Sequence, residues 1–92
     1  MSIKWTRKAL KNLEQAYEFL AIDNPDAAVE VVIKIQAATE KLEAFPNLGK
    51  TGRVEGTREL VIANTPYLLV YRVKGKTVEI LRVLHSSKRY PN

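Results

Sequence analysis

The stretch that decides the fold is Thr57–Asn92, which reads TRELVIANTPYLLVYRVKGKTVEILRVLHSSKRYPN. It contains three runs rich in β-branched and aromatic residues, and the alternation within each run predicts a strand. The three runs lie at about 58–63, 67–74 and 77–84. The breaks at Asn64–Pro66 and Lys74–Lys76 are typical of tight turns. Strands joined by turns this short must run antiparallel to one another.

The residues before this stretch predict a short strand and two helices. Ile3–Trp5 alternates apolar and polar side chains, and Thr6 can then cap a first helix. Asn24 is a good N-cap and Pro25 suits the first helical position, so a second helix begins there and ends before Pro46. The order β-α-α-β-β-β predicts an α+β fold, with an antiparallel sheet packed on a two-helix hairpin. We expect three large aromatic residues in the core: Trp5, Tyr17 and Phe45.

Two further features concern the loop and the sheet surface. Residues 46–56 contain three glycines, which predicts a long loop between the second helix and the strands. Both faces of the predicted sheet are largely apolar, although two helices can cover only one of them. The second face is therefore expected to meet a protein partner, or to be covered by sheet curvature and the long loop.

Composition limits the class of protein. Ninety-two residues predict a single domain, 1–92, and an apolar fraction of 46% argues against disorder. The absence of cysteine and of a signal-peptide pattern fits a cytoplasmic protein. No apolar run reaches the ~18–20 residues that cross a bilayer, so no membrane partner is expected. One histidine without cysteine disfavours a metal site, and nothing in the sequence requires a cofactor.

The charges are segregated along the chain. Residues 1–11 carry four cations and no acid, whereas residues 12–46 carry seven acids against two cations. Residues 47–92 carry nine Lys or Arg against three Glu, and the whole chain has a net charge of +5. This segregation predicts a basic face that meets a polyanion or an acidic protein.

Several residues have the side chains that a phosphodiester reaction needs. A ribonuclease without metal must deprotonate a 2′-hydroxyl, stabilise charge on phosphorus and protonate the leaving oxygen. Histidine can act as acid or base near neutral pH, and arginine binds phosphate in a bidentate manner. The candidate catalytic residues are His85, Arg58, Arg89 and Tyr90. The candidate nucleic-acid-binding residues are Lys50, Arg53, Tyr67 and Lys88. This hypothesis requires folding to bring the histidine and the loop arginines together over one positive hollow.

The chain resembles the RelE/ParE superfamily, the toxins of bacterial type II toxin–antitoxin pairs. The order of elements carries the resemblance, together with three runs of sequence. These runs are GRVEGTRELVI at 52–62, PYLLVYRV at 66–73 and VEILRVLHSSKRYP at 78–91. The resemblance covers nearly the whole chain and implies the fold derived above. It also implies a cognate acidic antitoxin as partner, in a toxin–antitoxin hetero-oligomer.

The superfamily contains two activities. One branch cleaves mRNA, often on the ribosome, whereas ParE proper poisons DNA gyrase without catalytic chemistry on nucleic acid. The residues from His85 to Tyr90 favour mRNA cleavage as the leading hypothesis. Leu68, however, replaces a phosphate-binding arginine of several ribosome-dependent members, and Glu59 and Val61 stand where some have lysines. Gyrase poisoning therefore stays as the alternative, as does a decayed toxin that only binds its antitoxin.

Overall fold

The computed structural model describes residues 1–87, which form a five-stranded sheet with two helices against it. The helices are α1 (Arg7–Asp23) and α2 (Pro25–Ala44). The strands are β1 (Ser2–Trp5), β2 (Lys50–Thr51), β3 (Arg58–Val61), β4 (Tyr67–Lys74) and β5 (Thr77–His85). Three candidate residues, Lys88, Arg89 and Tyr90, lie outside the described residues. The predicted α+β class and order of elements are confirmed.

The sheet is mixed, in the order β1-β5-β4-β3-β2. Strands β2 to β5 are antiparallel neighbours, as the short turns predict. The prediction needs one correction, because β1 pairs in parallel with β5, with Ser2 opposite Thr77 and Trp5 opposite Ile80. The structure also contains a strand that was not predicted, the two-residue β2 within the predicted loop. Both features come from pairing between distant parts of the chain, which local alternation cannot reveal.

The ends of the helices follow the capping signals in the sequence. The Thr6 hydroxyl accepts a hydrogen bond from the Ala9 N–H at 3.1 Å, which caps α1. Asn24 serves both helices: its backbone N–H donates to the Leu20 carbonyl, and its side chain accepts from the Ala27 N–H. The chain therefore reverses direction within one residue, and α1 and α2 pack together as a hairpin.

The core lies between the helical hairpin and the sheet. Its buried members include small residues of α1 and larger ones of α2 and the central strands: Ala9, Ala16, Ile35, Leu42, Leu69, Tyr71, Val78 and Ile80. Trp5 packs against this core in a half-buried position. The predicted burial of two aromatic residues is wrong, since Tyr17 is 39% exposed and Phe45 is 64% exposed. The aromatic residue that the fold buries completely is Tyr71.

The exposed apolar side chains lie mainly on the helices rather than on the sheet. On the sheet face away from the helices, Val70 and Leu84 are buried, and Val61 on β3 is exposed. The exposed apolar residues of α1 and α2 are Leu10, Tyr17, Phe19, Ile22, Val29 and Ile33. Neither helix within residues 1–87 combines the length and apolarity that a bilayer crossing requires.

Candidate functional site

One group of candidate residues lies where β2 and β3 meet the glycine-rich loop. The Tyr71 hydroxyl donates to the Pro46 carbonyl and accepts from the Gly49 N–H, both at 2.8 Å. The Arg58 guanidinium donates to the Gly49 carbonyl at 2.8 Å. We refer to Pro46, Gly49, Arg58 and Tyr71 as the tyrosine clamp. In this structure Arg58 holds the loop against the sheet, which is a structural role.

Lys50 and Arg53 belong to the same end of the sheet. Both are exposed, and Lys50 lies on β2 directly opposite Glu59 of β3. The Arg53 backbone N–H donates to a carboxylate oxygen of Glu59 at 3.3 Å. The positive charge of this end is therefore partly offset by Glu59.

The structure does not bring Arg58 to His85. Arg58 lies opposite Tyr71, whereas His85 lies opposite Tyr67, four residues away along β4. Four residues of strand span roughly 13 Å, and the step from β3 to β5 adds about 10 Å across the sheet. In this structure the Arg58 guanidinium also bonds to the Gly49 carbonyl rather than lying beside the imidazole. Among the described residues, the predicted hollow shared by histidine and loop arginines is not formed.

His85 and Tyr67 instead border a pocket of about 750 Å³ between α1 and the end of β5. We call it the edge pocket. Its walls come from Asn12, Gln15, Ala16 and Phe19 of α1, from Tyr67, and from Arg82–His85 and Ser87.

The edge pocket exists because β1 is shorter than β5. Strand β1 ends at Trp5, and the Thr6 N–H and hydroxyl both donate to the Ile80 carbonyl as the chain turns into α1. Beyond that point, β1 no longer pairs with β5. The Asn12 side chain takes its place, because its carbonyl oxygen accepts from the Val83 N–H at 3.2 Å. The pocket lies beside this part of the strand.

Arg82 lies beside an irregularity in the pairing of β4 with β5. The pairing of β4 with β5 shifts register between Val70 and Tyr71, so that Val70 lies opposite Arg82 and Tyr71 lies opposite Ile80. The Arg82 Nε donates to the Asn12 carbonyl oxygen at 3.2 Å, which orients the guanidinium plane beside α1.

The imidazole of His85 is held at the rim of the pocket. Its Nδ1 lies 2.7 Å from the Ser87 hydroxyl and accepts from the Ser87 N–H at 3.1 Å. In neutral His85 this arrangement places the proton on Nε2. The ring also meets Tyr67 edge-on, with 5.4 Å between centroids. The imidazole is therefore oriented, half-exposed and able to interact with a ligand.

Tyr67 contributes a neutral phenol to the same rim. The residue is buried, and burial raises the pKa of its hydroxyl above the ordinary value of 10.0. With Arg82, His85 and Ser87 close by, the pocket combines cationic and hydrogen-bonding groups on its sheet side. The described residues that line it include no Asp or Glu. This arrangement can bind an anion.

Sequence reasoning missed Asn12 and Arg82. Asn12 lies between Ala9 and Ala16 at helical spacing, so it is a polar residue on the buried side of α1. A polar residue at such a position needs a partner, and this signal could have identified it. Arg82 was missed because its partner Asn12 lies 70 residues away in the chain, and the sequence does not show that the two meet. Within residues 1–87, no group of three His, Cys, Asp or Glu side chains could hold a metal ion.

Comparisons with known proteins identify the family. Residues 3–90 match the family described as "ParE toxin of type II toxin-antitoxin system, parDE". A curated protein of Sinorhizobium fredii (strain NBRC 101917 / NGR234), named "Putative toxin Y4kP", is 42% identical over 89 residues. That alignment covers 97% of this chain and 92% of the relative.

A solved structure gives the same result for the fold. The chain matches "Chromosomal ParDE TA system from P. aeruginosa" with a TM-score of 0.84 and 34% identity, over 92% of this chain and 95% of that one. Sequence and structure therefore agree over nearly the whole chain. This chain belongs to the ParE toxin family of type II toxin–antitoxin systems.

Proposed function

We propose that this toxin arrests growth by poisoning DNA gyrase, without catalytic chemistry of its own on nucleic acid. Membership of the ParE family supports this alternative over mRNA cleavage, which the sequence had favoured. A binding poison needs no acid, base or phosphate ligand in fixed geometry. The departures at Leu68, Glu59 and Val61 therefore do not count against it.

The separation of Arg58 from His85 is the observation in the structure that carries the proposal. The predicted cleavage site needs Arg58 within hydrogen-bond reach of the phosphate that His85 approaches. Arg58 instead donates to the Gly49 carbonyl in the tyrosine clamp. Arg82 is the cation beside His85 in the edge pocket, and its Nε is held by Asn12. A poison that acts by binding needs neither Arg58 nor His85 in catalytic geometry.

A gyrase cleavage assay tests the proposal. The purified protein is incubated with gyrase, ATP and supercoiled plasmid, and trapped breaks are revealed by detergent and protease. We expect linear DNA to accumulate with protein concentration, because a poison stabilises the broken intermediate. Reactions lacking gyrase serve as the control and should leave the plasmid intact. Unchanged supercoiling and no breaks at micromolar protein would refute the proposal.

We also propose that the antitoxin binds this protein in two ways. Apolar contacts join it to the helical hairpin, and charge attracts it to the basic regions at residues 1–11 and near the tyrosine clamp. Exposed Phe19, Ile22 and Ile33 supply apolar surface on α1 and α2. The acids of residues 12–46 would repel an acidic partner there, so its charged part belongs near residues 1–11 or near the tyrosine clamp. Such a complex should be tight and should weaken with salt. An affinity independent of ionic strength would contradict the electrostatic part.

A further inference from the structure

The edge pocket has a size and chemistry that gyrase poisoning does not explain. Its volume of about 750 Å³ lies within the range of roughly 300–1,000 Å³ typical of small-molecule sites. Polar side chains converge on it from α1 and from β5, and an aromatic ring closes one side. We propose that the edge pocket binds a single phosphate-bearing nucleotide, either free or at the end of a nucleic-acid strand.

The sheet side of the pocket recognises the phosphate. Arg82 supplies a guanidinium whose plane is fixed by the Nε bond to Asn12, so little side-chain freedom is lost when an anion binds. His85 and Ser87 stand next to it, already joined by hydrogen bonds at 2.7 and 3.1 Å. The described lining residues include no carboxylate that would repel the ligand.

The helix side of the pocket recognises the base. Phe19 lines the pocket although 70% of its surface is exposed, so its ring is accessible for stacking. Gln15 lies one helical turn earlier on the same face and also lines the pocket. Its amide can both donate to and accept from a base edge. The phosphate therefore binds the sheet side of the pocket and the base binds the helix side, so one nucleotide can contact both.

An extended peptide added to β5 fits these observations less well. Strand addition needs the outward backbone groups of β5, but the Asn12 oxygen already accepts from the Val83 N–H. Helix α1 also packs along this part of β5, and would have to move aside to admit a strand. A nucleotide needs only side chains that already face the cavity.

The only histidine in the chain provides the probe. The His85 ring protons give one pair of NMR signals in the full-length protein, and these need no assignment. We expect adenosine 5′-monophosphate to shift them saturably, with a Kd of about 1 mM or tighter. Adenosine alone and inorganic phosphate alone should each bind about tenfold more weakly, since each engages one wall. Sodium chloride at equal ionic strength controls for screening.

Two pairs of variants distinguish phosphate binding on the sheet side of the pocket from base binding on the helix side. Arg82→Gln should weaken adenosine 5′-monophosphate and phosphate about tenfold, whereas Arg72→Gln on β4 should leave both unchanged. Phe19→Ala should weaken the nucleotide by roughly fivefold and leave phosphate unaffected. Phe45→Ala removes a similarly exposed ring outside the edge pocket and should have no effect. Since Phe19 is largely exposed, its removal leaves the core intact.

A 5′-phosphorylated dinucleotide distinguishes the two sources of ligand. Binding tighter than the mononucleotide indicates a strand end, and weaker binding indicates a free nucleotide; both uphold the site. The proposal is overturned if about 10 mM nucleotide leaves the His85 signals unmoved, or if Arg82→Gln and Arg72→Gln respond alike. It is also overturned if a short acidic peptide shifts the signals and nucleotides do not. None of these results bears on gyrase poisoning, which is measured separately.

Discussion

The two ends of β4 are built in contrasting ways. At one end Tyr71 is completely buried, and its hydroxyl ties two loop residues to the sheet. At the other end Tyr67 presents its ring to His85 at the rim of an open pocket. Both tyrosines lie on the helix-facing side of the same strand. The comparison shows that position along β4, and not residue type, separates a residue that holds the fold from one that can bind a ligand.

The largest expected effect belongs to the clamp end. An added methyl group at Gly49 would lie 2.7 Å from the Glu59 carbonyl oxygen and 2.8 Å from the Tyr71 ring. Gly49→Ala should therefore destabilise the protein by about 2–3 kcal/mol, because backbone and a buried ring must both shift. Urea unfolding measures the change.

Gly75→Ala is the matched control for this substitution. Gly75 has open space around it but a φ of +61°, so only backbone strain is added. The expected cost is about 1 kcal/mol. Equal losses in the two variants would show that close packing at Gly49 is unimportant.

Tyr71→Phe should have the next largest effect. It removes the acceptor of the Gly49 N–H and the donor to the Pro46 carbonyl, and the cost is roughly 2 kcal/mol. Tyr67→Phe keeps the ring at the other end of β4 and should cost less than about 0.5 kcal/mol. Thermal unfolding of the two variants tests the contrast directly. If Tyr67→Phe proved the more damaging, the roles assigned to the two ends would be reversed.

At the pocket end, Asn12→Ala should destabilise by about 1 kcal/mol. The substitution removes the acceptor that serves Arg82 and the Val83 N–H. Amide hydrogen exchange at Val83 should accelerate, while exchange at Gly49 in the clamp should not change. Gln15→Ala, in the same pocket wall, is the control. In this variant the amide of Val83 should exchange at the wild-type rate. If exchange at Val83 is unaltered in Asn12→Ala, the Asn12 side chain does not replace β1 as the hydrogen-bond partner of this part of β5.

The smallest expected effect concerns the ion pair of Arg72 with Glu79, which belongs to neither the clamp end nor the pocket end. The hydrogen bond from Arg72 holds the pKa of Glu79 below its ordinary value of 4.5. A lowered folded pKa contributes stability above the ordinary carboxyl range, and this stability is lost as the pH falls through the folded pKa. Arg72→Gln should move the Glu79 NMR titration to higher pH. An unchanged titration would mean that the pair does not persist in solution.

Local signals predicted the elements of this fold, but not how they meet. Asn24 and Pro25 fixed the turn between the helices, and alternation located β4 within its observed bounds. The parallel pairing of β1 was not predictable, because nothing in Ile3–Trp5 specifies its neighbour. The two-residue strand β2 likewise depends on β3 rather than on its own sequence.

The candidate site was predicted in part for the same reason. His85 and Tyr67 were singled out by residue type, and the sheet register does place them opposite each other. Arg58 was grouped with them because arginine binds phosphate, and the sequence does not give its distance from His85. Arg82 was overlooked because the residue that orients it, Asn12, belongs to a distant helix. Residue type therefore identified the chemistry, and register decided which groups share a site.

The most direct test of the functional account examines messages rather than DNA. The protein is added to a translating cell-free extract, at a concentration that traps gyrase-cleaved plasmid, and message ends are mapped by primer extension. The account predicts intact messages, because gyrase is the proposed target and the predicted pairing of Arg58 with His85 is not formed among the described residues. Toxin-dependent cuts at defined positions in the message would contradict it.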